Sequence, residues 1–175
     1  MGRNLIHIVD PAELSRLKAV TGAIVESPGT IDTNWLSRNH CVAVPVESAS
    51  HFDERDAELL EAAMAAERVF ECFAIATEPL REFPNALRVP TTKESLLSFS
   101  RECSHFNFLL VPPSSSIAVL CTVFDYFIIA GSKSFVERAI GGTIAEGFAR
   151  FAEYASKSGE TERLLSVARR YEGVH

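Results

Sequence analysis

The stretch that most constrains the fold is IAVLCTVFDYFIIAG, residues 117–131. Two apolar runs, 117–122 and 125–130, meet across the short segment TVFD. Just upstream, VPPSSS at 111–116 is a turn between the first of these runs and another at 106–111. All three runs are rich in Val, Ile, Leu and Phe, as strands are. Strands joined by connections this short pair antiparallel, since a parallel crossover needs a dozen residues or more. In the last run Phe127 and Ile129 share one strand face, and Tyr126 and Ile128 the other. Both faces are apolar, so this strand is expected to be central and covered on two sides.

What covers it is legible from helix starts. DPAE at 10–13 sets a capping Asp10 before a Pro at the first helical position. TTKE at 91–94, SFVE at 134–137 and TIAE at 143–146 have the form of the Ser/Thr-x-x-Glu capping box. Helices are expected near 11–21, 54–67, 92–102, 132–139, 144–156 and 160–171, and further strands at 41–46, 68–77 and 85–90. In the fifth helix Ile144, Phe148, Phe151, Ala152 and Ala155 form one stripe. Helices mixed with hairpins point to a single α+β domain over 1–175. Its sheet is mainly antiparallel, with a C-terminal meander at about 106–130 packed by helices, and its C-terminus is helical. Residues 22–40, which hold the only Trp, read as a hairpin or a long functional loop.

The chain of 175 residues has a net charge of -6. An acidic chain has no general attraction for phosphate backbones, so no nucleic-acid partner is expected. The N-terminus lacks the apolar core of a signal peptide. The longest apolar stretch, 117–130, is broken by Asp125 and is too short to span a bilayer. No membrane partner and a cytoplasmic location are the expectation. The four cysteines are scattered with no C-x-x-C pair, as suits reduced thiols.

The segment IIAGSKSFVE invites comparison with a phosphate loop. A Walker loop needs Gly, four residues, then Gly-Lys-Ser/Thr, so that the backbone can wrap the phosphates. Here Ser132 separates Gly131 from Lys133, and Tyr126 stands at the earlier Gly position. The segment therefore reads as a glycine that leaves a strand and a serine that caps a helix. No G-x-G-x-x-G, G-x-S-x-G or H-E-x-x-H occurs either, so no cofactor, metal or catalytic residue is assigned. Cys103 and His105 would point to one face if extended, as a nucleophile with its base or as two metal ligands. The other reading of CSH is a helix end and a loop.

FDERDAELLE gathers Asp53, Glu54, Asp56, Glu58 and Glu61 at a helix start, where the dipole stabilises anions. They serve either as a solvated helix start or as an acidic face for a basic partner, with Trp35 as an apolar anchor or a core residue.

DYFIIAGSKSFVERAIGGTIAEGFARFAEYA resembles the C-terminal halves of small bacterial immunity-type proteins, cytoplasmic proteins that neutralise a cognate toxin. The likeness covers residues 125–155: an Asp-aromatic strand, a Gly, and a short helix followed by a longer one. Together with the acidic balance and the missing catalytic motifs, it points to a non-enzymatic inhibitor that occludes a basic toxin or enzyme; the partner-binding candidates Trp35, Asp53, Glu54, Asp56 and Glu58 come from charge and side-chain type and not from the likeness. The alternative is an enzyme or ligand-binding domain whose site is assembled from dispersed residues, with Cys103, His105 and Asp125 the first to test. A subunit of a larger assembly is the third possibility.

Overall fold

A computed structural model describes residues 5–49, 51–113 and 116–174. In chain order the elements are β1 Ile6–His7, α1 Pro11–Ile24, β2 Val25–Ser27, β3 Thr30–Ile31, α2 Thr33–Arg38, β4 Val42–Glu47, α3 Glu54–Ala66 and β5 Glu71–Ala76. They continue with β6 Ala86–Pro90, α4 Lys93–Cys103, β7 Phe108–Val111, β8 Ala118–Cys121, β9 Tyr126–Gly131, α5 Lys133–Ile140, α6 Ile144–Lys157 and α7 Thr161–Tyr171. Seven strands form one sheet in the order β1-β6-β5-β7-β8-β9-β4, and every pairing in it is antiparallel. The fold is α+β, and β7-β8-β9 is the expected meander.

Strand alternation sorts the sheet's side chains into two cores. Val44, Phe108, Val119, Phe127 and Ile129 face α3, α4 and α5. Phe73, Leu109, Leu120, Tyr126 and Ile128 face α1, α2, α6 and α7. β9 is buried along its whole length and has a strand on each side, so its two apolar faces are both used. Each buried Leu, Ile or Phe contributes roughly 1.5–3 kcal/mol, which is why the helical layers lie on both faces of the sheet.

The sheet's open edges are managed differently. β1 is only two residues long. On β4, Ser48 N–H donates to the Asp125 carbonyl, which places the positions bonded to β9 at even numbers. Pro45 therefore stands where its missing N–H would have faced away from β9, the placement that an edge strand tolerates. α6 then crosses this edge. Its Ile144 and Phe148 pack against the core on one side of the sheet, and Phe148, Phe151 and Tyr154 against the core on the other. The crossing is close because residue 147 is Gly. A Cβ there would stand 2.9 Å from Val44 Cγ1 and 2.7 Å from Ile140 Cδ1.

One expected cap lies elsewhere, and of the two serines open to α5, Ser132 and Ser134, one is used. α4 is capped by Thr92, which accepts from Ser95 N–H, and not by Thr91. Thr91 is drawn into the sheet edge, its N–H donating to the Phe70 carbonyl and its hydroxyl to that of Val69. α5 is capped by Ser132, not Ser134. Residues 22–24 complete α1, and the rest of the 22–40 segment forms the hairpin β2–β3 followed by α2, whose cap is Asp32. Gly29, at φ 84°, turns this hairpin beneath Tyr126, whose hydroxyl donates to the Gly29 carbonyl at 3.0 Å. A Cβ there would meet that hydroxyl at 2.7 Å.

Candidate functional site

The acidic start of α3 is built by a capping box. Asp53 is the N-cap; its Oδ1 accepts from Asp56 N–H at 2.8 Å, and Asp56 Oδ2 accepts from Asp53 N–H at 3.2 Å. The pair satisfies donors that the first turn would leave open. Asp56, which a solvated helix start would leave exposed, is half-buried because its carboxylate turns back over the helix end. Burial, with the Asp53 carboxylate beside it, pushes its pKa up to about 6.

Glu54 and Glu58 are different. Their side chains are 85% and 71% exposed, and the nearest cation is Lys93 Nζ at the start of α4, 4.0 Å and 3.9 Å away. Beside the cap, Glu47 at the end of β4 joins Asp53 and Asp56 around a small cleft of about 130 Å³, with Arg55 and Arg150 on its rim. The Arg150 guanidinium is engaged, donating to the Ile140 carbonyl at 2.7 Å.

The other sequence candidates fall apart in space. Trp35 is 9% exposed and packs in the core beneath α2, so its ring offers no face to a partner here. Cys103 and His105 do not share a strand face. Cys103 is the last residue of α4 and fully buried, and His105 is exposed in the turn after it. Burial pushes the Cys103 thiol up to about 12, well away from a thiolate at neutral pH. Asp125, at φ 68°, is exposed on the β8–β9 turn and pairs with Arg163 at 3.7 Å. Among the described residues no group of three or more His, Cys, Asp or Glu is placed to hold a metal ion. None of the described helices is long and apolar enough to cross a membrane.

At the opening of α5, Ser132 Oγ accepts from Phe135 N–H at 3.2 Å. A Cβ on Gly131 would meet the Phe135 ring at 2.7 Å, so this glycine makes room for an aromatic side chain.

Sequence reasoning passed over one residue. His51 is 1% exposed, and its Nε2 lies 2.9 Å from the Cys103 carbonyl. The surrounding residues, SASHFD, are those of an ordinary polar connection, and nothing in them marks a buried imidazole.

Two open grooves lie elsewhere. One, of about 600 Å³, runs beside α1, with Leu14, Ile75 and Ala86 among its apolar residues and Lys18 and Glu78 among its charged ones. The other, of about 510 Å³, flanks β4 and the end of α7. No protein-family model, curated protein or solved structure matches the chain.

Proposed function

We propose that the chain is a non-enzymatic binding protein whose docking face is the solvent side of the start of α3, and that its partner is a protein with a basic surface, a toxin or an enzyme. One observation carries the reading: the acids of this cluster divide their roles. Asp53 and Asp56 are spent on the cap, and the helix they fix holds Glu54 and Glu58 out in solvent with a single lysine nearby. A rigid, exposed pair of carboxylates on an acidic protein steers and orients a cationic partner. The resemblance of residues 125–155 to immunity-type proteins points the same way. The mechanism is occlusion: the helix start and its neighbouring cleft cover the partner's basic surface and block access to it.

The test leaves Asp53 and Asp56 alone, because reversing them would also remove the cap. Glu54 and Glu58 are changed together to Lys, and association with basic proteins encoded by neighbouring genes is measured at two ionic strengths. The expected result is an association rate lower by about tenfold at low salt, a smaller loss at high salt, and little change in dissociation. Equal association rates for wild type and variant at both ionic strengths would sink the reading.

A second reading has its own support. The groove beside α1 has the size and largely apolar lining of small-molecule pockets. Gly22 lines it, and a Cβ there would meet nothing within 4 Å. A Gly22→Leu variant that loses binding of a small ligand, with the α3 variant unaffected, would favour this groove over the docking face.

A further inference from the structure

The connection between β4 and α3 delivers Asp53 to its capping position, and side chains hold it down. Phe52 N–H donates to Ser100 Oγ at 2.9 Å, and the Ser100 hydroxyl lies 3.0 Å from the Phe52 carbonyl. Ser48 Oγ donates to the His51 carbonyl at 2.5 Å. His51 itself has φ 58°, the left-handed region that costs a non-glycine residue roughly 1–2 kcal/mol. Its ring stacks on Phe99, with centroids 5.7 Å apart and planes 19° from parallel. The contact with the Cys103 carbonyl makes Nε2 the protonated nitrogen, since a carbonyl can only accept. Nδ1 is then an unprotonated acceptor, buried and without a hydrogen-bond partner. A second proton on the ring would place a cation in a site closed to water.

Several titratable groups belong to the elements around the ring. α4 ends in Cys103, and the turn after it carries His105. The β8–β9 turn carries Asp125, whose carbonyl accepts from Ser48 N–H, and two residues on from His51 stands Asp53, the N-cap of α3. Of these, His105 acts on the ring, and its charge opposes protonation. The carbonyls of Cys103, Phe106 and Thr122 favour the proton, but burial outweighs them and pushes the His51 pKa below 6.5.

We propose that His51 is a proton-sensitive latch on the acidic docking face. Neutral, it holds the β4–α3 connection against α4 and so fixes Asp53 and the start of α3; protonated, it leaves its site and frees them. The consequence for binding rests on the reading of α3 as the docking face, whereas the latch itself is tested without a partner. The sign follows from the lowered pKa. The closed connection is stable above the open-state value of 6.5 and is lost as pH falls below it. While the closed form refuses the proton, the open fraction grows as 1 + 10^(6.5 − pH), about thirtyfold at pH 5.

Amide hydrogen exchange on the intact chain, followed by NMR between pH 8 and pH 5, reads this directly. The probe is the Phe52 amide, and Val119 in β8 reports global opening. Phe52 is expected to lose between about three- and thirtyfold in protection factor over this range, with less than about a twofold change at Val119. His51→Gln keeps a donor for the Cys103 carbonyl but cannot titrate, and should flatten the Phe52 response. A Phe52 protection factor constant to within about threefold, a parallel loss at Val119, or an undiminished response in the variant would each overturn the latch. Should His51→Gln fail to fold, the imidazole nitrogen shifts of the wild type decide: titration at or above 6.5 overturns the proposal, and titration below it supports the latch. Failure of the docking reading shows separately, in unchanged kinetics of the Glu54 and Glu58 variant.

Discussion

Two glycines inside helices should respond in opposite directions to the same substitution. Helix propensity alone favours Ala over Gly by about 0.8–1 kcal/mol at an interior position. At Gly22, in α1, a Cβ would meet nothing within 4 Å, so Gly22→Ala should realise most of that gain. At Gly147, in α6, the same Cβ would stand 2.7 Å from Ile140 Cδ1 and 2.9 Å from Val44 Cγ1, well inside ordinary carbon–carbon contact. Ile140 Cδ1 is the end of a flexible chain and can turn away. Val44 cannot: it is fully buried in β4, and a β-branched side chain is stiff at its first torsion. α6 must therefore lift off the sheet edge by several tenths of an ångström. Overpacking of this kind costs roughly 1–3 kcal/mol. Net of propensity, Gly147→Ala should destabilise by about 0–2 kcal/mol, and the gap between the two variants should be about 1–3 kcal/mol.

Urea unfolding followed by circular dichroism measures this, provided the slopes of the transitions agree between variants. For a chain of this size the gap corresponds to roughly 2–12 °C in Tm. Equal gains from both substitutions would refute the reasoning, because they would mean that α6 does not approach β4 as closely as the geometry requires. Gly147→Val, which adds two more carbons at the same point, should be worse than Gly147→Ala and should also expose the β4 edge to aggregation.

Two further outcomes follow from local geometry. All four cysteines are buried, and burial pushes Cys72 and Cys103 up to about 12, so none should react with a thiol reagent at pH 8 until denaturant unfolds the chain. Arg68, one residue past the C-cap of α3, is in the left-handed conformation, φ 57°, with the following Val69 N–H reaching back to the Met64 carbonyl; Arg68→Gly should raise stability by about 1 kcal/mol in the same unfolding assay.

What was legible in the sequence was what is local. Helices starting at Pro11, Glu54, Ile144 and Thr161 stand within a residue of expectation because caps and first turns are decided by neighbours three or four positions apart. Thr91 misled for the converse reason, and Ser134 stood as an alternative to Ser132. Each has the spacing of a cap, but a partner across the sheet claimed Thr91, and Ser132 stood two residues nearer the strand end. β5 starts at Glu71 and not at 68, because Arg68 is turned left-handed and Phe70 is 70% exposed. Strand order, and the crossing of α6 over β4, depend on contacts between distant parts of the chain. The only local trace of that crossing is a glycine in the middle of a strongly patterned helix. At the candidate site the acidic cluster was visible. Its division into capping and exposed carboxylates was not, because the box closes with Asp53 and Asp56 where Ser or Thr with Glu is the usual signature; the burial of His51 was not either, since it is set by how the β4–α3 connection lies against α4.

The hairpin β2–β3 offers a last prediction, because two tyrosine hydroxyls tie it to the rest of the molecule. Tyr126 reaches Gly29, and Tyr171, from the last turn of α7, bonds Ile31 on both sides: Ile31 N–H donates to its hydroxyl at 2.8 Å, and the hydroxyl donates to the Ile31 carbonyl at 3.3 Å. Ile31 is fully buried and Tyr171 is 2% exposed, so water cannot replace either bond. Tyr171→Phe keeps the ring and removes the oxygen, leaving a buried N–H and C=O unpaired, which should cost about 1–3 kcal/mol. A second signature separates this from a packing effect. Burial pushes the Tyr171 pKa from 10.0 up to about 12. A raised folded value means that the native state keeps its proton where the unfolded chain gives it up, so stability is intact below pH 10 and declines as pH rises toward 12. A shift of that size corresponds to roughly 2–3 kcal/mol by pH 12. Tyr171→Phe should therefore start lower at pH 8 and lose less between pH 9.5 and pH 11.5 than the wild type does. Unfolding curves that decline in parallel over that range would show that the Tyr171 hydroxyl is not held protonated in the fold, and the anchoring role assigned to it would fall.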